Sequence, residues 1–282
     1  MLQHRHITLW MWRNRRMKQF YLITNEVKDP QGLYTERITE YLDQHGGNVC
    51  HNKEEAECIL VLGGDGTLLR AARNMMGNDT PLIGINLGTL GYLAEVDIGT
   101  IEPALDKLLA DDYTKEERMM LEGHVKKAGG TEENFALNDI VISRSGPLQI
   151  LTFHIYVNGQ FLNSYSADGM IVATPTGSTG YNMSAGGPIV EPGARLLLLT
   201  PICPHTLNTR SIVLASEDEI RIEIPQGKDG RRQTVEANFD GSHKITLKTG
   251  DSIVIRKALK TTGILKLNTE SFLTVLHKKM NE

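Results

Sequence analysis

The first hundred or so residues alternate short apolar runs with amphipathic stretches. Phe20-Tyr21-Leu22-Ile23 is apolar and of strand length. Residues 35–44 repeat apolar side chains at helical spacing, with Ile38, Tyr41 and Leu42 on one face, and Gly46-Gly47 marks the stop. Residues 58–62 are apolar without interruption, the pattern of a strand buried on both faces of a parallel sheet. A glycine turn follows, then Leu68, Leu69, Ala72 and Met76 at helical spacing. Leu82-Ile83-Gly84-Ile85 reads as another strand, and residues 101–110 as an amphipathic helix carrying Leu105, Leu108 and Leu109. This β-α-β-α order predicts a doubly wound, Rossmann-like α/β domain over residues 17–120.

From Leu121 the pattern changes to short runs of strand length separated by turn signals. Residues 136–142 read as one strand. Residues 151–157 and 160–164 flank Asn158-Gly159, the pair best suited to the positive φ angles of a tight hairpin. Further runs fall at 211–214, 219–224, 235–239, 244–247 and 252–255. They predict a β-rich, sandwich-like domain over residues 121–282, with the last residues returning to the first domain. Residues 1–16 place an apolar stretch, 7–12, before Arg13, Arg15 and Arg16, the reverse of a signal peptide's order. They are expected to be a dispensable, disordered extension.

Composition narrows the classes. A net charge of −4 provides no basic footprint for nucleic acid and no polybasic patch for a membrane surface. No apolar run approaches the roughly 20 residues that span a bilayer. Cys50, Cys58 and Cys203 are three, with no metal-ligand spacing, which fits a reducing cytoplasm and no zinc site.

Four segments carry candidate chemistry. Gly63-Gly64-Asp65-Gly66-Thr67 sits between a buried strand and a helix. Its glycines let backbone approach a ligand, and the helix start offers free N–H groups to an anion. A plain tight turn with Asp65 as N-cap would not need glycine on both sides. The turn is not a P-loop, because the G-K-[ST] ending and its lysine are missing. Residues 84–93, with Gly84, Gly88, Gly91 and Tyr92, form a second glycine-rich loop after the next strand, the other wall of one crevice. Asn138-Asp139 interrupts an apolar run where such residues are depleted. An Asn amide can read an adenine edge and an Asp can accept from ribose hydroxyls. The fourth segment, residues 167–188, runs from Asp168 through Thr174-Pro175-Thr176-Gly177-Ser178-Thr179-Gly180-Tyr181-Asn182-Met183-Ser184 to Ala185-Gly186-Gly187-Pro188. Small hydroxyls and bare backbone there can surround a charged ligand, and Tyr181 can stack on a base.

Taken together, and followed by Pro201-Ile202-Cys203-Pro204-His205-Thr206-Leu207, these segments resemble the bacterial NAD kinase family in order and spacing from Met17 onward. G-G-D-G alone is shared with phosphofructokinases and diacylglycerol-type lipid kinases; the long run is far more specific. The resemblance implies an α/β domain and a β-rich domain with the active site between them. It implies phosphoryl transfer from ATP, or another phosphoryl donor, to the 2′-hydroxyl of the adenosine ribose of NAD, giving NADP. Mg²⁺ is expected to be carried mainly by the phosphates, and the assembly to be a homodimer or homotetramer in the cytoplasm. Position by position, Asp65 would accept the proton, with Gly64, Gly66, Thr67 and Tyr92 at the nucleotide. Asn138 and Asp139 would hold the adenosine, and Asp168 would face the nicotinamide end. Thr176, Thr179, Gly180, Tyr181, Asn182 and Ser184 would line the dinucleotide pocket, and Asp240 resembles a late family aspartate near the substrate. Ser166 departs from some relatives, which carry arginine there. Two rivals remain: a lipid kinase, which needs an apolar entry that residues 174–184 do not offer, and a non-catalytic NAD-binding regulator, although Asp65 and its glycines are intact.

Overall fold

The computed structural model describes residues 16–88, 91–146, 150–205, 209–227, 230–267 and 270–281. The expected extension therefore lies, but for Arg16, outside the described residues. So do Thr89 and Leu90 of the second glycine loop and Thr206 and Leu207 of the proline-rich segment. The chain divides into two compact units. The first holds the described residues up to Leu68, then Asn78–Glu116 and Gly263–Glu270; the second holds Leu69–Gly77, Glu117–Thr262 and the residues from Ser271.

In the first unit, strands β1 (Gln19–Thr24), β2 (Asn48–Val49), β3 (Cys58–Gly63), β4 (Leu82–Asn86) and β5 (Val96–Asp97) alternate with helices α1 (Leu33–Gln44), α2 (Asp65–Asn74, counted here to Leu68) and α3 (Ile101–Leu109). All pairings are parallel: β1 with β2 and with β3, β3 with β4, β4 with β5. Thus β2 lies on one side of β1 and β3 on the other, and the strand order reverses at β1/β3. Phe20, Leu60, Leu62, Ile83 and Ile85 of the sheet pack with Ile38 and Leu42 of α1 and Leu105 and Leu108 of α3. The uninterrupted apolar run of β3 is buried throughout, as a strand covered on both faces must be.

The second unit is a two-sheet sandwich. Its strands are β6 (Thr114–Lys127), β7 (Gly130–Ala136), β8 (Asp139–Arg144), β9 (Leu151–Val157), β10 (Gln160–Ala167), β11 (Gly169–Ala173), β12 (Leu196–Ile202), β13 (Ile212–Ala215), β14 (Ile220–Glu223), β15 (Thr234–Phe239), β16 (His243–Lys248) and β17 (Ser252–Lys266). One sheet runs β13-β12-β11-β8-β15-β16; the other joins β10, β9, β14 and β17, with β6 pairing both β17 and β7. Ile140, Ile142, Met170 and Phe239 from the first interdigitate with Leu121, Phe153, Ile222 and Ile253 from the second. From Gly263, β17 belongs to the first unit, where Ile264 pairs in parallel with Leu82. The short helix α4 (Tyr181–Ser184) and the terminal helix α5 (Phe272–Met280) complete the chain. The α/β and β-rich classes expected from the pattern are both present.

Residues 136–142, expected as one strand, are two. β7 ends at Ala136 and β8 starts at Asp139. The break is held open by side chains distant in sequence. The Asp240 carboxylate accepts from the backbone N–H of Leu137, Asn138 and Asp139 at 2.9, 2.8 and 3.2 Å. Thr174 donates its N–H to Asn138 O and its hydroxyl to Leu137 O. With every backbone group of the joint satisfied, the chain has no need to continue the ladder.

Candidate active site

In the first unit, β3 and β4 end level, Gly63 opposite Asn86, so the two glycine loops start side by side. A Cβ on Gly63 would fall on the Thr67 side chain; without it Thr67 folds beneath the turn, where its hydroxyl accepts from Asn25 Nδ2 at 3.1 Å. Asp65 Oδ2 accepts the Tyr92 N–H at 2.8 Å and Oδ1 the Leu93 N–H at 3.2 Å. A Cβ on Gly91 would land on that carboxylate, so glycine there is what lets the second loop close on Asp65. The side chain is pinned in place while each oxygen keeps lone pairs for a ligand. Gly66 faces open space, and Tyr92 contributes its backbone N–H. Asn25, which braces the turn, was not among the expected residues; an Asn directly after a predicted strand is the signal that points to it.

In the second unit, Asn138, Asp139, Tyr181 and Asp240 line a cavity of about 320 Å³ with Leu69, Val141, Ser143, Asn238 and Gly241. Asp139, Val141 and Ser143 alternate along β8 on the face turned away from the sandwich core, so period-two reading from Asp139 would have found Ser143. Asp139 is 5% exposed, and burial, then the negative Asp240, push its carboxyl up to about 7. Asp240 is also raised by burial, against the opposing pull of its three backbone N–H bonds. The Asn138 side-chain oxygen is buried and has no hydrogen-bond partner among the described residues. A buried, unpaired acceptor beside a cavity is a place for a ligand N–H.

The threonine-rich segment lies against the outer face of the same sheet. A Cβ on Gly177 would collide with the Asn138 backbone, and one on Gly180 would stand 3.3 Å from Asn138 Nδ2. These two glycines let the segment press on the Asn-Asp pair. Thr176 is buried with its hydroxyl unpartnered among the described residues, like Asn138 beside it. Asn182 is spent internally: Nδ2 donates to Ser178 O and Pro188 O, and Oδ1 accepts from Thr200. It shapes the loop rather than facing the cavity. Thr179, Ser184 and Asp168 are not on the cavity wall. Asp168 stands apart with Arg144 Nη1 at 3.7 Å and His205 Nε2 at 3.9 Å. Arg144 thus places positive charge beside the Asp168 carboxylate.

Two family descriptions match this chain: the ATP-NAD kinase N-terminal domain over residues 5–113 and the ATP-NAD kinase C-terminal domain over 137–267. Curated relatives include the NAD kinase of Agathobacter rectalis, 49% identical over 281 residues that cover 94% of this chain and 99% of that protein. The NAD kinase of Lachnospira eligens is 45% identical, covering 94% and 100%. Among solved structures, an NAD kinase from Archaeoglobus fulgidus in complex with ATP matches with a TM-score of 0.73 at 25% identity, over 94% of this chain and 99% of that one. Yeast NADH kinase complexed with NADH shares the fold, with a TM-score of 0.88 at 23% identity over 95% and 88%.

Proposed function

Because the chain belongs to the NAD kinase family, we propose that it transfers the terminal phosphoryl group of ATP, or of another phosphoryl donor, to the 2′-hydroxyl of the adenosine ribose of NAD. The observation that carries this reading is the Asp65 carboxylate, held by two backbone N–H groups between glycine loops at the carboxyl ends of parallel strands. A ribose hydroxyl is far too weak an acid for a carboxylate to ionise outright. In a loose phosphoryl-transfer transition state it needs little prior activation. Asp65 orients the hydroxyl and takes its proton late, as the ribose oxygen bonds to the terminal phosphorus and the bond to the bridging oxygen breaks. The electron pair of that bond leaves with ADP.

Binding of the adenosine portion is assigned to the second-unit cavity. Its volume, about 320 Å³, suits a nucleoside-sized group. The unpartnered Asn138 oxygen suits an adenine amino group, and Asp139 or Asp240 a ribose hydroxyl. Tyr181, 47% exposed on the rim, offers its ring face to a base. Asp168 is assigned to the nicotinamide end.

Mg²⁺ would ride on the triphosphate, whose oxygens are the hard donors it prefers. Asp65 is the sole acid on either glycine loop, and among the described residues no three His, Cys, Asp or Glu side chains converge as a metal cage. When bound, the ion offsets charge on the phosphate oxygens. A cytoplasmic location is supported by three free cysteines, and no helix among the described residues is long and apolar enough to cross a membrane. A homodimer or homotetramer is supported by β10, an edge strand with Phe161 and Leu162 exposed.

Incubating the protein with ATP, Mg²⁺ and either NAD or diacylglycerol tests the reading. NADP should appear, and no phosphatidate. Phosphorylated lipid would favour the lipid-kinase alternative, and NAD binding without NADP the regulator.

A further inference from the structure

A P-loop places a lysine against the phosphates from within the loop itself; Gly63-Gly64-Asp65-Gly66-Thr67 has none. The fold supplies one from another strand. In an open parallel sheet, ligands bind outside the carboxyl ends of the strands where the strand order reverses, here between β1 and β3. The loop after β3 is the Asp65 turn, and the loop after β1 is Asn25-Glu26-Val27-Lys28-Asp29. A Cβ on Gly64 would stand 3.2 Å from the Lys28 ammonium, and one on Gly88 would stand 3.3 Å from it. The cation therefore lies over both glycine loops at once. Among the described residues no carboxylate pairs with it, and no charge within the loops calls for it except Asp65.

The Lys28 loop is built to hold that position. Asn25 donates its N–H to Leu62 O at the end of β3, 2.9 Å, and its amide to Thr67. Its backbone oxygen accepts from the N–H groups of Lys28 and Asp29, and its side-chain oxygen from Val27 N–H. On the far side, the buried Asp29 carboxylate accepts from Tyr34 N–H and from the N–H and hydroxyl of Thr35, tying the loop to α1. Lys28 sits between two anchored neighbours.

We propose that Lys28 is a further catalytic residue, whose ammonium binds the terminal phosphate oxygens of the donor above the two glycine loops; the proposal rests on the kinase reading given above. The ammonium neutralises charge that grows on the bridging oxygen as the bond to the terminal phosphorus breaks, while the hydroxyl proton goes to Asp65.

The test compares wild type with Lys28→Met and Lys28→Arg, reading ATP binding by calorimetry and turnover by NADP formation. Loss of one charge-assisted contact should weaken ATP binding and raise its KM about 10- to 100-fold. The KM for NAD should stay within about twofold, since that interaction is untouched. Lys28→Arg should recover part of the loss. Inorganic tripolyphosphate, which shares only the phosphates with ATP, should compete with ATP in wild type and not in Lys28→Met. Lys28 is exposed, so thermal melts of the variants should match wild type; a large drop would assign the lysine to folding and overturn the proposal. Equal ATP affinity and KM in Lys28→Met and wild type would overturn it too, with the kinase reading intact if wild type makes NADP. Lys28-dependent ATP binding without NADP from wild type would sink the kinase reading and leave the phosphate contact standing.

Discussion

At the scale of single residues, Asp65 and Asp139 are both carboxylates with assigned work, and their surroundings give them different behaviour. Asp65 is restrained by two backbone donors. In Asp65→Asn the amide oxygen can keep one of those bonds, but its NH₂ group meets the other donor and cannot take a proton. The variant should remain folded and bind NAD, with kcat lowered at least about 100-fold, the lower end of what a general base contributes; steady-state NADP formation checks this. Asp139 is buried beside Asp240 and raised to about 7, against an ordinary value of about 3.9 in the unfolded chain. Between those values the folded protein holds a proton that the unfolded chain has lost. Its stability therefore falls as pH rises across that window. Asp139→Asn removes this titration, so its stability relative to wild type should grow by at least about 1.4 kcal/mol from pH 4 to pH 8, the worth of one pK unit. Urea unfolding at both pH values reads it directly.

At the scale of elements, the joint between β7 and β8 depends on a hairpin corner a hundred residues later. Asp240 and Gly241 follow β15 with φ of 48° and 63°, left-handed values that turn the chain and aim the carboxylate back at the joint. Arg73 of α2 donates to Phe239 O at 3.1 Å and to Ser242 Oγ at 2.6 Å, bracing that corner from both sides. Asp240→Ala leaves three backbone N–H groups without their acceptor. At about 1–3 kcal/mol for each buried group left unsatisfied, partly recovered by water, a loss on the order of 3 kcal/mol is expected in denaturant titration. A raised KM for NAD should accompany it, because Asn138 and Asp139 lose their backbone restraint. The Asn158-Gly159 hairpin is the opposite case: φ of 50° and 79° and the register Gln160–Val157 follow from the two residues in the turn.

At the scale of the molecule, a net charge of −4 leaves small anionic nucleotides to be held by local backbone donors and single cations rather than by a global field. The exposed apolar side chains on the edge strand β10 direct the assembly prediction. Light scattering after gel filtration should report two or four times the 31.3 kDa chain mass. Phe161→Asp should shift it toward one chain, because a buried unpaired charge at an interface is costly.

What the sequence by itself determined is what depends on neighbours in the chain. Apolar run length set the parallel strands, turn signals marked the short strands of the second unit, and glycine placement marked the Asp65 turn, the second loop and the segment against Asn138. These follow from backbone sterics and solvent, which act over a few residues. The tertiary structure decided the rest. It broke residues 136–142 into two strands through Asp240 and turned Asn182 inward onto Ser178, Pro188 and Thr200. It raised Asp139 by burying it beside a second carboxylate, and it laid Lys28 over the loops of Gly64 and Gly88, 36 and 60 residues further along the chain. Except for the bonds of Asn182 to Ser178 and Pro188, four and six residues away, these are meetings of groups remote along the chain, and such meetings exist only once the strands are ordered in their sheets.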